Sequence, residues 1–167
     1  MSLLTRNLDL FDPIDAKIGE IEDAAGKLEA IGDFIRECEL CPLSRNRRHA
    51  VPGEGDPEAR LLIAGEGPGE SEDELGRPFV GKAGALLDKI LAAAEIERQS
   101  VFITNIVKCR AAEMAEGRLQ NRAPLISEVN ACRPYLIRQV EVIQPSVKDE
   151  LFRLLREGGL ICLILFL

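Results

Sequence analysis

The feature that most constrains this sequence is a short apolar run, Leu61-Leu62-Ile63-Ala64, that ends on the glycine-rich stretch Gly65-Glu66-Gly67-Pro68-Gly69. Four apolar residues without a polar interruption, closed by glycines, read as a strand buried on both faces. Downstream, Ala83, Leu86, Leu87, Ile90, Leu91 and Ala94 recur at helical spacing, and Val101-Phe102-Ile103-Thr104 is a second β-branched and aromatic run. Strand, helix and strand in that order form a right-handed crossover unit of a parallel sheet. Sites in such sheets gather at the carboxyl ends of the strands, which here are the glycine loop and Thr104-Asn105.

The rest of the chain supplies cover for this unit. Ile18, Ile21, Ala25, Leu28, Ile31 and Ile35 predict helix over 14–38, with Gly26 and Gly32 as candidate breaks. Residues 38–55, with Pro42, Pro52, Gly53 and Gly55, read as loop, as do the acidic stretch up to Gly81 and the polar residues 109–124. Ile126, Val129, Tyr135, Leu136 and Val140 predict a helix over 125–143. Beyond Pro145 the pattern changes: Leu151, Leu154 and Leu155 look helical, and the apolar run 160–167 is too short for a bilayer but can pack as a strand. At 167 residues we expect one core, divided as an N-terminal helical extension (1–34), an α/β domain (35–145) and a divergent apolar tail (146–167).

A net charge of -7 excludes a generic nucleic-acid coat, because phosphate binding is dominated by Lys and Arg, so any DNA contact must be local. Asp9, Asp12, Asp15 and Lys17 interrupt any secretory signal, which predicts an intracellular, cytoplasmic protein of prokaryote-like type, monomeric and without membrane contact. In a reducing compartment, five cysteines point to thiols or metal ligands in place of disulfides.

The glycine loop carries too many carboxylates for a phosphate cradle and lacks the Lys-Ser/Thr ending of a nucleotide-binding loop. Arg77-Pro78-Phe79-Val80-Gly81-Lys82-Ala83-Gly84 places an aromatic ring between Pro and Gly ahead of a helix. Taken singly, Phe79 reads as core and Asn105 as a turn or helix cap. Cys38 and Cys41 are separated by two residues, a spacing that lets both reach one metal centre; Cys109 and Cys132 complete a set of four, with Cys162 to spare. Four thiolates suit zinc and an iron–sulfur cluster equally, and a turn with buried cysteines is the plain alternative.

Together, Gly65-Glu66-Gly67-Pro68-Gly69, Glu72-Asp73, Gly76-Arg77-Pro78-Phe79-Val80-Gly81-Lys82-Ala83-Gly84, Leu86-Leu87 and Ile103-Thr104-Asn105-Ile106-Val107-Lys108-Cys109-Arg110 resemble the family-four uracil-DNA glycosylases with a four-iron cluster, over about 35–145. The resemblance implies a three-layer α/β/α sandwich around a four-stranded parallel sheet, and removal of uracil from DNA. It implies Glu66 and Glu72 as members of the catalytic loop, Gly67 as a main-chain contact to the base, Phe79 as a stacking platform and Asn105 as the reader of the uracil edge. It also implies a [4Fe-4S] cluster, with zinc as the alternative, held by Cys38, Cys41, Cys109 and Cys132, and uracil-containing DNA as the partner.

Two departures and one further feature modify these expectations. The 22 residues between Cys109 and Cys132 exceed the family spacing, the surplus lying around 112–120 as a DNA-facing insertion or a tolerated loop. Arg45, Arg47, Arg48, Arg110, Arg118, Arg122, Arg133 and Arg138 could form a local phosphate-binding surface. The family's late His-Pro element has no counterpart, since the one histidine, His49, lies upstream and is not followed by proline. A truncated or frame-shifted gene, or a degenerate homologue, would produce this ending. Strongly reduced activity follows as an expectation, with a catalytically impaired iron–sulfur DNA-binding module as the alternative and a polymerase-associated glycosylase-like domain as a third reading.

Overall fold

The computed structural model describes residues 12–145 together with residues 164–165. The expected tail, 146–167, lies outside the described residues apart from that pair. Two helices open the described residues, α1 (Asp12–Gly19) and α2 (Ala24–Glu37). The break falls between them and not at Gly26 or Gly32: the Asp23 carboxylate accepts from Gly26 N at 2.7 Å and starts α2 afresh. In α2, Ile31 and Ile35 lie one turn apart and are both buried.

The stretch 38–55 is not all loop. It contains a 3-10 turn, Pro42–Arg45, and a two-residue strand β1 (Glu54–Gly55). The crossover unit follows as β2 (Leu62–Gly65), α3 (Glu70–Leu75), α4 (Lys82–Ala93) and β3 (Phe102–Asn105). The acidic loop therefore holds a short helix, stopped by Gly76 at φ 67°. Strands β2 and β3 are parallel and paired from Leu62↔Phe102 to Gly65↔Asn105, which sets Gly65 and Asn105 side by side at the end of the sheet.

The sheet corrects one expectation. It is mixed, in the order β1-β3-β2-β6, where β6 is Ile164–Leu165; β1 runs antiparallel to β3 and β6 antiparallel to β2. A parallel arrangement needs a long crossover, whereas only residues 56–61 separate β1 from β2, so β1 runs opposite to β2 and to its parallel partner β3. That reversal brings Gly55 (φ 130°) so close that a Cβ there would lie 1.9 Å from Val101 O.

Side-chain alternation along the strands sorts the core. Leu62, Ala64 and Phe102 pack with Leu136, Val140 and Ile143 of α5 (Ile126–Ile143) on one face, and Ile63 and Ile103 pack with Leu87 and Leu91 of α4 on the other. The expected helical stripes are narrower than their apolar residues suggested: Leu86 is 59% and Ile126 76% exposed. A third cluster joins Ile14, Ile31 and Ile35 to Val107, Cys109, Cys132 and Tyr135.

The expected long loop after Cys109 is a hairpin, β4 (Ala112–Ala115) and β5 (Arg118–Asn121). Glu116 and Gly117 both have positive φ, 52° and 73°, the geometry of a two-residue turn whose twist matches its strands. No helix among the described residues is long and apolar enough to cross a membrane.

Candidate functional site

At the carboxyl ends of β2 and β3 opens a cleft of about 520 Å³, with Gly67, Glu72, Phe79, Asn105 and Asn121 on its walls. Its floor is Asn105, 2% exposed. The Asn105 carbonyl accepts from Lys108 Nζ at 2.8 Å, and Ile106 N donates to Gly65 O at 2.8 Å, so the residue is held at the strand end. Its side-chain Nδ2 is buried and has no hydrogen-bond partner among the described residues. Such a group is costly in an apolar site unless something polar meets it.

Gly65 makes this floor possible. A Cβ at that position would lie 2.5 Å from Asn105 Oδ1 and 2.7 Å from the Phe79 ring. Phe79 has φ 51°, a left-handed conformation costing about 1–3 kcal/mol for a bulky residue. Glu72 holds the turn: Oε1 accepts from Val80 N at 2.9 Å and Gly81 N at 2.7 Å, while Oε2 accepts from Gly69 N at 3.1 Å. From the other side, Arg98 Nη2 donates to Pro78 O at 2.9 Å. Gly84 admits the turn to α4, since a Cβ there would lie 1.8 Å from Phe79 O.

Of the residues singled out in the sequence, Gly67, Glu72, Phe79 and Asn105 are brought together. Glu66 is half-buried one residue past β2 and does not line the cleft. Two participants had no individual signal. Asn121 arrives through the unforeseen hairpin. Lys108, 1% exposed, donates to Thr104 Oγ1 (2.6 Å), Asn105 O (2.8 Å) and Gln139 Oε1 (2.7 Å), and burial pushes its ammonium down to about 7.

Lys108 also borders a second pocket, which Cys38, Cys41, Cys109 and Cys132 all line. Arg47 Nη1 donates to Cys109 Sγ at 3.3 Å and to Cys38 O at 2.8 Å, and Lys108 N donates to Cys132 Sγ at 3.2 Å. Burial raises Cys41 and Cys109, and pushes Cys132 up to about 12. Among the described residues, no three His, Cys, Asp or Glu side chains gather closely enough to hold a single metal ion. The donor set is nonetheless soft and anionic when deprotonated, and it faces N–H donors, which fits a thiolate-bound centre. Cys162 lies outside the described residues.

The envisaged arginine surface is largely engaged within the fold. Arg138 pairs with Asp15, Arg122 with Glu128, Arg48 with Glu74 and Arg110 with Glu70, while Arg47 faces the thiols and Arg133 donates to Asn130. His49 Nδ1 lies 3.0 Å from Asp73 O, away from the cleft.

A crossover α/β unit with a glycine-lined cleft at its strand ends is the arrangement in which open α/β domains bind small ligands. The profile of the Uracil DNA glycosylase superfamily matches residues 52–148, and the chain belongs to that superfamily. It is 48% identical over 118 residues to a type-4 uracil-DNA glycosylase of Pyrobaculum aerophilum, covering 71% of this chain and 57% of the relative. It is 43% identical over 120 residues to that of Thermotoga maritima, covering 72% and 59%. With the enzyme of Sulfurisphaera tokodaii it shares 46% identity over 121 residues, covering 72% and 52%. The chain thus matches between 52% and 59% of the length of these relatives.

Proposed function

We propose that this protein excises uracil from DNA by hydrolysing the N-glycosidic bond of an extruded nucleotide, leaving an abasic site. The observation that carries the reading is the buried Nδ2 of Asn105, unpartnered among the described residues, in a cleft sided by Phe79. A side-chain amide can donate to a uracil carbonyl and accept from the ring N–H, and cytosine reverses that edge. The Phe79 ring stacks on the extruded base, returning roughly 1–3 kcal/mol of the unstacking cost.

In this reading Gly67 offers main-chain contact to the departing base. Glu66, beside the cleft-lining Gly67 though not itself a wall residue, is given the water-orienting role by the family resemblance: the water oxygen attacks C1′, the C1′–N1 bonding pair leaves with the uracil, and a water proton passes to the carboxylate. Glu72 belongs to the same loop but serves it differently, since both its oxygens already accept backbone N–H groups. Helices on both faces of the sheet support the three-layer arrangement of the family.

The four cysteines are assigned to a [4Fe-4S] cluster, as the resembling family uses them, with zinc as the alternative. Bound there, such a group would tie the end of α2 to the segment after β3 and to α5, and no bond-breaking step is assigned to it. Visible absorption of the purified protein separates a cluster from colourless zinc.

Release of free uracil from a labelled oligonucleotide tests the activity. We expect release by the wild type and a fall of about a hundredfold or more with Asn105→Ala, whose lost donor acts on the developing uracil anion. Binding without release would assign the chain to the non-catalytic module instead.

A further inference from the structure

We propose that Lys108, which lies outside the cleft, is a positioning residue for uracil excision: its ammonium holds Asn105 at the strand end through a buried network shared with Thr104, Gln139 and Pro52. This rests on the uracil-excision reading. Lys108 is not among the residues that wall the cleft, whereas Asn105 is, so its influence on a bound base passes through Asn105.

The network closes on itself. Lys108 Nζ donates to Thr104 Oγ1 at 2.6 Å, to Asn105 O at 2.8 Å and to Gln139 Oε1 at 2.7 Å, which uses all three protons of an ammonium. The Thr104 hydroxyl gives its own proton to Pro52 O at 2.9 Å, leaving a lone pair for Lys108, and Gln139 Nε2 donates to the same carbonyl at 2.8 Å. Beside Pro52, Gly53 at φ 126° presses the chain against that hydroxyl, since a Cβ there would lie 2.9 Å from Thr104 Oγ1. Lys108, Thr104, Gln139 and Asn105 are each at most 2% exposed, so bulk water does not compete for these bonds.

Two features make Asn105 depend on this brace. Its Nδ2 has no hydrogen-bond partner among the described residues, so the amide is aimed by the backbone that carries it. Past the strand end, Ile106 N and Val107 N donate to Gly65 O and Glu66 O at 2.8 and 3.1 Å, while the Asn105 carbonyl is received by Lys108. A buried ammonium whose three acceptors are all neutral is a costly way to fill space, and an apolar side chain of the same length would carry no such desolvation. What lysine supplies there is the convergence of three charge-assisted bonds on the strand end.

The test measures single-turnover uracil release, which stays readable for slow variants because incubation can be prolonged, in the full chain with and without Asn105→Ala. Lys108→Met keeps the length of the side chain and removes its donors. We expect it to slow release by about tenfold or more where Asn105 is present, and by less than about twofold beside Asn105→Ala, where nothing is left to position. Metal content and the visible spectrum should match the wild type. An equal loss in both backgrounds, no loss in either, or loss of bound metal would overturn the proposal, the last by assigning Lys108 to the thiol pocket. Should Lys108→Met not fold, Thr104→Val removes one acceptor of the ammonium, leaves the cysteines in place and is read in the same two backgrounds, with about threefold slowing expected in the first and none in the second. Absence of uracil release by the wild type is a separate outcome, which removes the excision reading and this inference with it.

Discussion

Glu72 accepts hydrogen bonds from Gly69, Val80 and Gly81 and is itself buried, so its carboxylate fastens the glycine loop to the Phe79 turn. Without it, three N–H groups lose their acceptor and Phe79 loses what holds it at φ 51°. Glu72→Ala is expected to destabilise the fold by about 2–3 kcal/mol, measured by urea unfolding, and to raise KM for a uracil oligonucleotide more than it lowers kcat. Sequence reasoning placed Glu72 in the glycine-rich stretch after β2, where it lies in α3. It could not assign its partners, because those N–H groups converge only after the chain has turned twice. Asn105 and Phe79 were similarly ambiguous one at a time, and became readable as a pair through the order of motifs around them. Gly65 explains their meeting, as the absent Cβ is the space they share.

Helix α5 begins on a charged clamp. Glu128 accepts from Leu125 N at 2.7 Å and from Arg122 Nη1 and Nη2 at 2.9 and 2.7 Å. The Arg122 hydrogen bond, aided by that backbone N–H, outweighs burial and holds the Glu128 carboxyl below the ordinary value of 4.5. A carboxyl depressed by folding contributes stability that is complete above its unfolded value and lost as the pH falls through its folded one. Unfolding free energy should therefore drop as the pH is lowered from about 5 to 3, and Glu128→Gln should flatten that part of the profile. At this scale β2, β3, α4 and α5 were legible, since apolar runs and helical spacing survive in any context. The hairpin was not: its turn is Glu116-Gly117 where Asn-Gly would have announced it, and its strands are polar.

The thiol pocket draws its cysteines from the end of α2 and the turn after it, the segment after β3 and the middle of α5, so it joins parts of the chain far apart in sequence. Lys108 relates it to the cleft, bordering the cysteines while bonding the carbonyl of Asn105. Cys132→Ser is expected to abolish the visible absorption of a bound cluster and to lower the melting temperature by roughly 10 °C, as loss of a structural metal centre costs several kcal/mol. Calorimetry and an absorption spectrum on the same sample check both. The sheet's mixed order was the least legible property at this scale: two central strands define a parallel pair, but edge strands of two residues have too little pattern to declare a direction. The hairpin carries one more consequence. A Cβ on Gly117 would touch nothing within 4 Å, while Arg110 ties the hairpin's base to the glycine-loop side of the cleft. Length changes and grafted peptides are therefore tolerable at the tip and ruinous at the base, so divergence among descendants of this gene should accumulate at 116–117 and spare the pair Arg110 and Asn121.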